Sequence, residues 1–183
     1  MALTGVGVCM PLILIIAAFA ALVGSGGSPR ASIYMGKGEH DTAEKILTGC
    51  LTLQIIVSII LTVILLIWNE NLLLMFGASE NTISYATAYM NIYAIGTIFV
   101  QITLGMNTFI TAQGKAITGM MTVLIGAVAN IILDPIFIFG MHMGVRGAAL
   151  ATVFSQIISV VVIFSMLKKV LHVEKGEKPL WRP

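Results

Sequence analysis

Charged residues are scarce in this sequence of 183 residues, in which Asp, Glu, Lys and Arg together make up 10%. A soluble domain of this size carries about 25% charged residues. Hydrophobic residues instead account for 58% of the chain, and the mean hydropathy is +1.01. This composition excludes an ordinary soluble globular domain and indicates that lipid is the solvent of most of the chain.

Cysteine and histidine are also scarce. The cysteines, Cys9 and Cys50, lie inside apolar runs, and the three histidines lie in separate connections. This excludes a disulfide framework and gives no spacing typical of a metal site. An enzyme is not expected either, because no histidine, Ser–Lys pair or second acidic residue accompanies Asp134 within the apolar runs. We expect no nucleic-acid partner and no cofactor.

The sequence contains several long apolar runs without charged residues. Each is longer than the roughly 18 apolar residues needed to span a bilayer, and only helices suit continuous runs of this kind. The sequence therefore predicts an all-α integral membrane fold with five transmembrane helices in residues 1–172. Residues 173–183 are expected to form a cytoplasmic tail or the start of a linker. The predicted helices are residues 3–35, 42–68, 82–112, 116–140 and 147–171.

Basic residues favour alternate connections between these helices. Nine of the ten Lys and Arg residues fall on one side of the predicted membrane, and Arg146 alone falls on the other. The positive-inside rule makes the basic side cytoplasmic, with the N-terminus outside and the C-terminus inside. A chain of this orientation would more naturally begin with one further helix. We therefore expect a fragment or truncated product that lacks its first span.

Asp134 is the one charge inside the fourth predicted helix. Asn130 is four residues away and so lies on the same helix face. The helical rise places Asp134 about 9 Å below Gly140, and it places Thr152 on the next helix about 8 Å below the same surface. Since an intramembrane carboxylate faces the protein interior, the three side chains predict a site for Na⁺, or for a proton carried by Asp134.

Other polar residues in the spans have weaker interpretations. Pro135 predicts a helix kink and leaves the carbonyl oxygen of Ile131 without its helical donor. The alternative role for Asp134 is to cap this kink or to bond a neighbouring helix. Gln54, Gln101 and Asn107 are expected to form hydrogen bonds between helices. Gln101 and Asn107 are also candidates for lining a transport pathway.

Three segments, GSGGSPRASIYMGKG, NIILDPIFIFG and MGVRGAALATVFSQ, occur in this order with characteristic spacings. They resemble the multidrug and toxic compound extrusion (MATE) family, most closely its prokaryotic DinF/MepA-type branch. The resemblance implies a transporter of two six-helix lobes, and it aligns this chain with helices two to six of the N-terminal lobe. It also implies that the cation site of that branch falls on Asn130, Asp134 and Thr152.

The resemblance implies part of a multidrug efflux antiporter in the prokaryotic cytoplasmic membrane. Such a protein exports small amphipathic or cationic compounds by alternating access, in exchange for Na⁺ or H⁺. Its expected partners are the lipid bilayer, a first helix that carries a further aspartate, and a C-terminal lobe. Two alternatives stay open: a non-transporting product of a broken gene, and a lipid-linked sugar flippase. The flippase is less favoured, because no basic residue lies clearly inside a span.

Overall fold

The computed structural model describes residues 2–176, with side chains described from Leu3 to Leu167. The described chain is entirely helical outside short connections. Five of its helical spans are long and apolar enough to cross a membrane, which confirms the predicted fold class. In chain order the elements are α1 (Ala2–Val8), α2 (Met10–Gly36), α3 (His40–Met75), α4 (Ile83–Ala112), α5 (Ala116–Pro135), a π-helical turn (Ile136–Gly140) and α6 (Val145–Gly176).

Helix α4 lies at the centre of the bundle, where α2, α3 and α6 all pack against it. Its most apolar stretch is 61% buried, whereas that of α5 is only 6% buried. Small residues on α4, among them Ala86, Ala94 and Gly105, allow the neighbouring backbones to approach closely. The outer surface of α5 is apolar, as expected of a helix in contact with lipid.

Two clusters of buried apolar side chains hold the helices together, one toward each end of the bundle. One includes Leu12, Leu65 and Met90, and the other includes Met106 and Phe109. Both clusters are built around α4. The middle of the bundle between them is more polar, with several fully buried amide and hydroxyl side chains.

Helix α3 is longer than the sequence predicted. It starts at His40 rather than residue 42, and beyond a kink at residue 68, where the sequence predicted its end, a further helical segment runs to Met75. The backbone leaves helical geometry at Trp68 (φ −108°, ψ 19°) and then resumes it. The helix continues through polar residues because Asn69 is buried, and its Nδ2 donates to Asn91 Oδ1 of α4 at 2.7 Å.

Helix α6 also exceeds its predicted bounds of residues 147–171, running from Val145 to Gly176. The first four residues of the predicted tail, 173–176, are therefore helical. The rest of the predicted tail, residues 177–183, lies outside the described residues.

Candidate ion-binding site

Asp134 lies where α5 changes its backbone hydrogen bonding. Pro135 follows it and has no N–H to donate to the Ile131 carbonyl. The next five residues form the π-helical turn, and the Met141 N–H donates to the Ile136 carbonyl at 2.9 Å to close it. Single π turns inside helices widen the local backbone and are frequent at functional sites. The predicted kink site is thus occupied by a proline followed by a π turn.

The contacts between α5 and α6 set the level of the three predicted site residues. The two helices run antiparallel, because Gly147 packs against the backbone of Phe137, and Gly126 packs against Ser159. In this register Thr152 lies opposite residues 132–133. It therefore falls between Asn130 and Asp134 along α5, at the common level that the helical rise predicted.

Each of the three side chains is half-buried. The Thr152 hydroxyl donates to the Ala148 carbonyl of its own helix at 3.0 Å, so its oxygen lone pairs are left to accept or coordinate. The Nδ2 atom of Asn130 is buried and has no hydrogen-bond partner among the described residues. Asn130 therefore presents an unused polar group one turn from Asp134.

The structure adds a fourth residue, Tyr89 of α4, which the sequence analysis missed. Tyr89 is 6% exposed. Its hydroxyl lies near the Thr152 side chain and in the neighbourhood of Asp134 and Cys9. Its ring stacks on that of Tyr93 at 5.9 Å. The signal available in the sequence was the spacing of Tyr85, Tyr89 and Tyr93, which places three tyrosines on one face of α4.

One carboxylate and one amide of α5 thus share a level with one hydroxyl of α6, and α4 adds a second hydroxyl near that of Thr152. These oxygen ligands are the kind that hard cations prefer. Within the described part of the chain, no group of three or more His, Cys, Asp and Glu side chains lies together. A single negative charge matches a monovalent cation or a proton better than a multiply charged ion, because the charge that it can neutralise is one.

The two candidate pathway residues lie elsewhere. Gln101 is fully buried, and its Nε2 donates to the Ile16 carbonyl of α2 at 2.9 Å. Asn107 Oδ1 accepts a hydrogen bond from the Thr122 hydroxyl of α5 at 3.1 Å. Both therefore link neighbouring helices, as the sequence predicted. The further role of these two residues in lining a pathway stays a prediction.

Comparison with known proteins identifies relatives of this chain. The family model described as MatE matches residues 1–136. The chain is 31% identical over 157 residues to the multidrug export protein MepA of Staphylococcus haemolyticus, covering 86% of this chain and 35% of that protein. It is 29% identical over 162 residues to a protein of Shewanella oneidensis named FAD transporter, covering 86% of this chain and 36% of the relative.

A solved structure agrees with the fold. A MATE protein crystallised in a bent conformation superimposes with a TM-score of 0.88 at 26% identity, covering 97% of this chain and 41% of that one. The chain therefore spans between one third and one half of the length of these relatives, which is the share expected of one lobe.

Proposed function

The chain belongs to the MatE family, and from that premise we propose that it forms the ion-binding lobe of a cation-coupled multidrug efflux antiporter. It is an integral membrane protein, and its relatives are transporters rather than enzymes. The proposed substrates are small amphipathic or cationic compounds. The proposed partners are a preceding helix and a second lobe of the same transporter, and the coupling ion is Na⁺ or H⁺.

The observation that supports this proposal is the common level of Asp134, Asn130 and Thr152 along α5 and α6, with Tyr89 of α4 near Thr152 and Asp134. An ionised carboxylate within the membrane has a high free-energy cost unless a positive charge accompanies it. Binding of a cation or a proton at this position lowers that cost and is therefore favoured. Binding would change the charge next to Pro135 and the π turn. An ion that binds one shape of this segment better than another shifts the lobe toward that shape, as alternating access requires.

The test is the effect of NaCl on thermal unfolding of the purified chain, compared with choline chloride at equal ionic strength. At a hundredfold excess over Kd, sodium should stabilise the chain by about 2.7 kcal/mol, which is a rise of about 5–10 °C in Tm. Asp134→Asn should abolish this rise. The matched control is Glu80→Gln, which removes an exposed carboxylate from the connection before α4 and should leave the rise intact.

A second readout is drug export by cells that express the transporter containing this lobe. Asp134→Asn should abolish export while membrane insertion stays normal. Normal export by this variant would contradict the assignment of Asp134. A wild-type chain that does not respond to sodium at any concentration, together with loss of export in Asp134→Asn, would identify the coupling ion as a proton.

The alternatives considered from the sequence are less well supported. A lipid-linked sugar flippase would need basic groups within its helices to bind diphosphate. Between Leu3 and Leu167, the basic residues of the spans lie within about two helical turns of a helix end, as at Arg30, Lys45 and Arg146. A non-transporting product would insert in the membrane but show no sodium response and no effect of Asp134→Asn.

A further inference from the structure

Two glutamine side chains that the ion site does not use are enclosed between α2, α3 and α4. Gln54 of α3 and Gln101 of α4 are both 0% exposed. Gln101 Nε2 donates to the Ile16 carbonyl at 2.9 Å, and Gln54 Nε2 donates to the Ala20 carbonyl at 3.4 Å. Ile16 and Ala20 lie one turn apart on α2, so the two amides meet that helix about 6 Å apart along its axis.

The same two amides are neighbours on α4. The Gln54 side chain occupies the space beside Gly105, where a Cβ atom would collide with its amide group. Gly105 lies one turn after Gln101 on the same face of α4. Gln54 and Gln101 are therefore adjacent on α4 as well as on α2, although they come from different helices.

Each amide has one polar atom without a partner. The hydrogen bond from Nε2 to an α2 carbonyl fixes the orientation of each side chain, so the other end of each amide is the oxygen. Both Oε1 atoms are buried and have no hydrogen-bond partner among the described residues. An unsatisfied buried oxygen costs free energy, and two of them on adjacent side chains point to a shared ligand.

The neighbouring hydroxyls define what this ligand must be. Ser58 and Thr97 are fully buried, each one turn from one of the glutamines. Their protons are already donated within their own helices, to the Ile55 and Tyr93 carbonyls at 2.8 and 3.3 Å. The two Oε1 atoms therefore need donors that these hydroxyls do not supply. No carboxylate belongs to this cluster to neutralise a cation, whereas water donates two hydrogen bonds and needs no counter-charge.

We propose that Gln54 and Gln101 bind one buried water molecule, which donates a hydrogen bond to each Oε1. This water connects α3 to α4 at the place where both are bonded to α2. It makes these three helices one unit in the middle of the bundle, where buried polar groups take the place of apolar packing. The inference is independent of the proposed transport function and of Asp134.

The first test measures water contacts directly in the unmodified 183-residue chain. Side-chain amides are labelled with ¹⁵N at Gln and Asn, and magnetisation transfer from water protons is recorded by NMR in lipid nanodiscs. Both the Gln54 and the Gln101 amide should show transfer despite being fully buried. The control is the Gln101→Leu chain, in which transfer at the Gln54 amide should fall because the water has lost one of its two acceptors. Absence of transfer at the two glutamines would overturn the proposal.

The second test is a double-mutant cycle read as Tm. Gln54→Leu or Gln101→Leu alone removes one ligand of the water and releases it, so each should lower Tm by several degrees. The decrease in Tm of the double variant should be clearly smaller than the sum of the decreases in the two single variants, because the same water molecule is released in all three. The control pair is Gln101→Leu with Asn69→Leu, whose losses should add. Additive losses for Gln54 and Gln101 would overturn the proposal.

Discussion

At the scale of single residues, the proposed ion site depends on oxygen atoms whose hydrogen-bonding capacity is not fully used within their own helix. The Thr152 hydroxyl donates its proton to the Ala148 carbonyl, so its oxygen lone pairs can still accept a hydrogen bond or coordinate an ion. Tyr89 brings a hydroxyl from the central helix, which is the best packed element of the bundle. A ligand held by a well-packed helix is positioned before the ion arrives, so less ordering is lost on binding.

This reasoning gives a prediction for Tyr89. Tyr89→Phe removes only the hydroxyl that lies near Thr152 and Asp134. The loss of one such group should raise the sodium concentration at half-maximal stabilisation about three- to tenfold. Tyr85→Phe, which removes the same group from a 43% exposed side chain one turn away, is the control and should have no effect. Equal sodium midpoints for Tyr89→Phe and wild type would show that Tyr89 is not part of the site.

The level of Asp134, Asn130 and Thr152 was predictable because the rise of a helix is constant and the connection between α5 and α6 is short. Both facts are local in the sequence. Tyr89 was not predictable in this way, since its position beside Thr152 depends on the packing of α4 against α6. The proximity of Gln54 to Gln101 was not predictable either, because it depends on the packing of α3 and α4 against α2. Their role as links between helices, however, followed from their polarity inside apolar runs.

At the scale of elements, the end of α5 combines an irregular backbone with the carboxylate of Asp134, which lies in the middle of an apolar run. Pro135 removes a helical hydrogen bond, and the π turn that follows shifts the register of the residues up to Gly140. The Ile131 carbonyl, which Pro135 cannot bond, lies one turn before Pro135, between Asn130 and Asp134 on the chain. It is therefore a possible fifth oxygen for the ion, and its availability depends on the proline.

Pro135→Ala should test this dependence. The new N–H would bond the Ile131 carbonyl, which should raise Tm by a few degrees and weaken the stabilisation by sodium. The control is Pro29→Ala in α2, an exposed interior proline far along the chain from the site. It should also raise Tm but leave the sodium midpoint unchanged. A sodium midpoint that does not move in Pro135→Ala would exclude the Ile131 carbonyl as a ligand.

Helix boundaries were the part of the fold that the sequence predicted least well. The polar residues after Trp68 indicated the end of a span, and the backbone does leave helical geometry at Trp68; a second helical segment then continues to Met75, and Asn69 in it donates to Asn91 on α4. A polar residue ends a helix in lipid only where no neighbouring helix satisfies it. That condition is set by tertiary packing, whereas the number of spans is set by the length of the apolar runs.

At the scale of the whole molecule, charge placement rather than packing determines how the bundle lies in the membrane. The described spans are apolar along their lengths, so the bilayer holds them equally well in either direction. Lys and Arg resist translocation, and they concentrate in alternate connections. The proposed orientation puts the N-terminal end of α5 in the cytoplasm and its π turn toward the outside. Asp134 then lies closer to the outer surface, where it can exchange its ion with the exterior.

Cysteine labelling of α5 at its two ends tests this orientation. In a chain with Cys9→Ala and Cys50→Ala, Ala116→Cys and Met141→Cys each place one thiol at an exposed position without changing a charge. A membrane-impermeant maleimide should modify the thiol of Met141→Cys in intact cells and that of Ala116→Cys only after permeabilisation. The reverse pattern would place the carboxylate of Asp134 nearer the cytoplasm. An ion that enters from the outside in exchange for the exported compound would then have to cross most of the membrane to reach Asp134, which the position of the π turn would no longer explain.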